Sequence, residues 1–123
     1  MDETIKILLL DIPEELQDVL ERAIQDQVNM ETVGEAFDPI NLLLTVDDTE
    51  SDVVIMGHPQ ADRLPGICTH LLTEYPDLLI LTLSTKDSRA FLYQRKIAWE
   101  EVSFKTPEDL VARIGEAFSS APY

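Results

Sequence analysis

Positive charge and cysteine are what this sequence has least of. Nine Lys and Arg stand against 24 Asp and Glu, which leaves a net charge of −15 on 123 residues. A surface that negative repels phosphate backbones and anionic lipid, so no direct binding to nucleic acid or membrane is expected without a strong local basic patch. The one cysteine, Cys68, permits no internal disulfide and excludes a Cys-rich metal site. It stands among Ile67, Leu71 and Leu72 in a helical pattern and reads as a small buried hydrophobe rather than a nucleophile. Long apolar runs are missing as well. Residues 7–10 are too few for a signal peptide or a spanning helix, so the expected location is the cytoplasm. There is no internal repeat and no low-complexity segment.

What is present suits one globular domain over residues 1–123, with 119–123 (SSAPY) as a tail or the start of a linker. Hydrophobic residues make up 45% of the chain, enough for a core. Short apolar runs alternate with helical patterns. Residues 5–10 (IKILLL), 52–56 (DVVIM) and 78–83 (LLILTL) read as buried strands, 30–36 as a weaker one around Gly34, and 101–104 as a short one. Pro13 sits where a first helical residue belongs. Beyond it Leu16, Val19, Leu20, Ala23 and Ile24 form one apolar stripe. Asp38-Pro39 opens a short helix carrying Ile40, Leu43 and Leu44. Residues 67–75 and 86–96 read as two more helices. Thr106-Pro107-Glu108-Asp109 opens the last, with Leu110, Val111, Ile114, Ala117 and Phe118 inward. The sum is an α/β (βα)5 three-layer sandwich. Its parallel five-stranded sheet takes the flavodoxin-like order 2-1-3-4-5, with the crevice at the carboxyl ends of strands one and three.

The strand ends carry a resemblance. Lys6 to Asp11, Asp52 to Gly57, Leu81 to Ser84 and Phe104-Lys105-Thr106-Pro107 are similar to the four strand-end motifs of the response-regulator receiver family, over about residues 4–118. The resemblance implies a fixed division of labour. Two acids after strand one hold Mg²⁺, and an aspartate ending strand three accepts a phosphoryl group. A Ser or Thr after strand four and a Lys after strand five then contact its oxygens. Carried over residue by residue, Asp11 matches the first acid, Ser84 the hydroxyl and Lys105 the lysine. Ile12 falls on the second acid and Gly57 on the phosphoacceptor, and the family's Lys-Pro becomes Lys105-Thr106-Pro107. With one carboxylate left, neither a tight Mg²⁺ site nor aspartyl phosphorylation is expected. The chain resembles the atypical, pseudo-receiver subset, whose pocket (Asp11, Ile12, Gly57, Ser84, Lys105) is degenerate. Lys105 is expected to neutralise Asp11 as an ion pair. His58 points to the other face from residue 57 and has no evident partner base. His70 reads as a structural or surface residue.

An inert crevice moves function to a surface. Lys86, Arg89, Arg95 and Lys96 put four of the nine basic residues in one eleven-residue stretch, with Phe91, Tyr93 and Trp99 close by. Arg and aromatic residues are enriched among interface anchors. In receivers the fourth helix, fifth strand and fifth helix form the usual docking or dimerisation face, and this stretch covers its first part. The candidate interface is thus Lys86, Arg89, Tyr93, Arg95, Lys96 and Trp99, for a protein partner or a homodimer. The leading expectation is a phosphorylation-independent signalling module with no enzymatic activity and no cofactor. The alternatives are a working phosphorelay receiver with a non-standard acceptor, or a small-molecule binder at the strand 1/strand 3 crevice. Against the second, Asp11-Ile12-Pro13-Glu14-Glu15 offers no Gly-rich phosphate cradle. No Ser/His/acid or Cys/His set stands at the strand ends to suggest a hydrolase.

Overall fold

The computed structural model describes residues 4–36, 38–58, 66–84, 89–94 and 100–119. In chain order these form β1 (Ile5–Leu10), α1 (Glu14–Gln25), β2 (Met30–Ala36), α2 (Pro39–Thr49) and β3 (Val53–His58). Then come α3 (Gly66–Glu74), β4 (Leu79–Ser84), β5 (Ala90–Tyr93), β6 (Glu100–Val102) and α4 (Pro107–Ser119). The sheet order is β2-β1-β3-β4-β5-β6. The first four strands are mutually parallel, β5 is antiparallel to β4, and β6 is antiparallel to β5. β6 therefore points the same way as β4.

Two cores follow from strand alternation. On one face Ile7 and Leu9 of β1 and Val53 and Ile55 of β3 pack with Leu20, Ala23 and Ile24 of α1 and Leu110, Val111 and Ile114 of α4. On the other, Leu8, Leu10, Val54 and Met56 meet Leu42 and Val46 of α2 and Cys68, Leu71 and Leu72 of α3. Central strands buried on both faces must be apolar at every position, hence the continuous runs read from the sequence. The α/β class, the three layers and the flavodoxin-like winding are as expected.

Local chemistry sets the helix ends. Pro13 is the N-cap of α1 rather than its first residue, its carbonyl accepting from the amides of Leu16 (3.0 Å) and Gln17 (2.8 Å). Asp38 caps α2 by accepting from the Asn41 amide at 2.7 Å, and Glu50 ends that helix in a left-handed conformation (φ 52°). At the start of the sheet, Asp52 ties three strands. Its carboxylate accepts from the Lys6 amide (2.9 Å), its own amide donates to the Lys6 carbonyl (2.8 Å), and its carbonyl accepts from Leu79 (3.0 Å).

One expected element is corrected, and one helix face that the sequence left open is settled. Residues 86–96 do not form one helix, because residues 90–93 are strand β5, buried on both faces. Ala90 and Leu92 join the first core and Phe91 and Tyr93 the second. Only five residues separate Ser84 from Ala90. A parallel return needs a dozen or more, so β5 pairs antiparallel and the sheet has six strands instead of five. The buried Thr82 hydroxyl donates to the Phe91 carbonyl at 3.4 Å and reinforces the pairing. The face that the fold settles is that of α2. Its buried residues are Leu42 and Val46, whereas Ile40 and Leu44 are 74% and 62% exposed. A helix apolar on both sides does not mark its own inner face. Packing against β2 and β1 selects it.

Candidate functional site

The winding direction changes between β1 and β3, and the carboxyl ends of β1, β3 and β4 lie side by side there. The pairings Leu10↔Met56, Gly57↔Leu83 and His58↔Ser84 fix their levels. Asp11, Gly57 and Ser84 are thus brought to one edge of the sheet, as the spacing of the motifs requires.

Their environments differ. Asp11 is exposed and takes a left-handed backbone (φ 54°), which ends β1 and which Asp tolerates better than most residues. Ile12 is 9% exposed and belongs to the core beneath α1 and α4. Gly57 is buried within β3, and His58, half-buried, follows it on the alternate face. Ser84 is half-buried, and its amide donates to the Arg89 carbonyl at 2.9 Å, closing the β4–β5 connection.

Lys105 is placed elsewhere. It follows β6, which lies three strand spacings from β3, about 14 Å at the usual separation of neighbouring strands. The inserted β5 adds one of those spacings. The expected ion pair with Asp11 does not form: among the described residues the salt bridge is Arg89–Glu101. Asp109 of α4 accepts from the backbone amides of Lys105 (2.8 Å) and Thr106 (3.1 Å), a capping arrangement. Those two bonds hold the Asp109 carboxyl below its ordinary range.

Of the candidate basic interface, Arg89 and Tyr93 fall among the described residues. Lys86, Arg95, Lys96 and Trp99 lie outside the described residues. Tyr93 is 2% exposed, a core residue of β5. The Arg89 guanidinium pairs with Glu101 at 3.2 Å and lies over the Phe91 ring, 4.9 Å from its centroid. It braces the β5–β6 hairpin rather than standing free. Cys68 is fully buried as expected, with Sγ 3.2 Å from Met56 Sδ, and burial pushes its thiol up to about 12. His70 is at the surface.

Two hollows escaped sequence reading. One of about 380 Å³ lies at the opposite end of the sheet, among Asp47, Glu50, Asp52, Glu74, Tyr75 and Asp77. There the Tyr75 hydroxyl donates to Asp47 at 3.1 Å, and desolvation together with that bond pushes its pKa above the ordinary tyrosine value. The other, about 660 Å³, is lined by Glu14, Glu15, Gln17, Asp18 and Glu35 beside the start of α1. The signal was present in the acids at 47–52 and 74–77, but only the fold shows that these two segments meet. Both hollows are anionic, which disfavours phosphates and other anions. Among the described residues, no group of three or more His, Cys, Asp or Glu is arranged to hold a metal ion, and no helix is long and apolar enough to cross a membrane.

Neither a protein-family profile nor a curated protein matches the sequence. Among solved structures, the chain is similar to the signal receiver domain of the response regulator NarL from Mycobacterium tuberculosis. The TM-score is 0.54 at 20% identity, over 70% of each chain. That likeness establishes the receiver-type fold.

Proposed function

We propose that this chain is a degenerate response-regulator receiver, acting as a phosphorylation-independent module that regulates a protein partner by docking. One observation carries the reading. On a receiver-type fold, the three adjoining strand ends present a single carboxylate among the described residues, Asp11, because Gly57 stands at the acceptor position and Ile12 belongs to the core. A divalent ion there lacks its second carboxylate, and a phosphoryl group lacks its nucleophile. The displacement of Lys105 by β5 supports the same conclusion independently. The acidic hollow beside the start of α1 argues against a small-anion site there. The test is incubation with a small phosphodonor and Mg²⁺ followed by intact-mass measurement. The unmodified mass is expected, and a stable phosphoryl adduct overturns the reading.

A further inference from the structure

The apolar side chains of α2 exceed what the core uses. Leu42 and Val46 fill the inner face completely, at 0% and 1% exposure. Ile40 and Leu44, one turn apart, stand 74% and 62% exposed on the outside. Single exposed hydrophobics are ordinary on a protein surface, but two stacked at i and i+4 form a continuous ridge. At 100° per residue, Ile40, Leu44, Asp47 and Asp48 fall within an arc of about 100°. The outer face is therefore apolar over its first two turns and acidic over its last, with both aspartates exposed. The carbonyl end of the helix adds negative potential at that same end.

We infer that the outward face of α2 is a docking surface for a protein partner whose contact patch is apolar and flanked by Lys or Arg. Charge selects this occupant. A second copy brings a further net −15 against an already acidic face, and an anionic lipid surface is repelled in the same way. A basic-rimmed apolar patch is complementary at both ends, with Ile40 and Leu44 contributing burial and Asp47 and Asp48 setting the orientation. The inference rests on the docking-module reading above and names its surface.

The test uses the full chain with two probes, a Leu/Lys amphipathic helical peptide and a polylysine of equal charge. Amide chemical shifts and titration calorimetry are the readouts. The amphipathic peptide is expected to perturb the amides of α2. Its affinity falls tenfold or more in the Ile40→Ser/Leu44→Ser variant, while polylysine binding is unchanged. Asp48→Lys weakens the amphipathic peptide without altering the melting temperature. Absence of binding, perturbations centred elsewhere, or an affinity indifferent to the serine pair overturns the inference. So does concentration-dependent self-association that the serine pair abolishes, which assigns the face to a second copy. These outcomes leave the docking-module reading intact. The phosphodonor experiment decides that reading separately.

Discussion

At the scale of single residues, the informative position is Ile12. In the sequence it is a gap in an acid pair. In the fold it is a core residue at 9% exposure under α1 and α4. On the proposed reading a packing residue stands where a receiver has an acid, so placing an acid there should cost the fold. Ile12→Asp removes apolar contacts and places a carboxylate against Leu and Val side chains, and a destabilisation of about 3 kcal/mol is expected. A urea midpoint unchanged from the parent would show that residue 12 faces the crevice instead. Cys68 makes the converse case, since its neighbours in the sequence already announced its burial. With its thiol pushed up to about 12 and no exposed surface, alkylation by a maleimide at neutral pH is expected only as fast as the chain opens. Prompt labelling of the folded protein contradicts this. The sequence made Asp11, Ile12, Gly57 and Ser84 legible because each sits at the end of a strand whose apolar run is unmistakable. It hid Lys105's displacement, because that depends on how many strands intervene and not on the residue's own neighbours.

Elements were readable where their period had one interpretation. β1, β3 and β4 are continuous apolar runs bounded by polar breaks, and α1 carries a single stripe. Residues 86–96 had no such clarity. Phe91, Leu92 and Tyr93 suit a helix face or a doubly buried strand equally, and local pattern does not arbitrate between them. The tertiary context does, since β4 has an open edge and five residues bring the chain back to it. If β5 is an integral strand, its packing should dominate its surface pairing. Phe91→Ala is expected to cost about 3–5 kcal/mol through the buried ring. Glu101→Ala removes a half-exposed ion pair with Arg89 and should cost no more than about 1 kcal/mol. Denaturant midpoints for the two variants check the ordering. Equal losses, or a larger loss for Glu101→Ala, would mean that β5 is held by its rim and not by its core. α2 taught the same lesson in another form, because with apolar residues on two faces the sequence left the choice to the sheet beneath.

At the scale of the whole molecule, the sheet connects these observations. A receiver-type pocket requires three strand ends for the acids and hydroxyl and a fourth, adjacent to β4, for the lysine. Here the position beside β4 is taken by β5, and the strand that leads into Lys105 is one place further out. On the proposed reading the departure is thus threefold: no acceptor at Gly57, no second acid at Ile12, and a lysine one strand spacing, about 5 Å, further out. The first two are matters of side chain and can be reversed by substitution. The third is a matter of topology and cannot. Gly57→Asp, alone or with Ile12→Asp, is therefore expected to remain at its unmodified mass in the presence of a small phosphodonor and Mg²⁺. In the double variant Lys105 still follows a strand one place further out, where it does not help neutralise an incoming phosphoryl group. Because Ile12→Asp threatens the fold, each variant is first compared with the parent by denaturation. Gly57→Asp alone supplies the reading if the double variant is unfolded. Stoichiometric phosphorylation of a folded variant would mean that Lys105 reaches the crevice despite β5, and that the proposed degeneracy lies in side chains only.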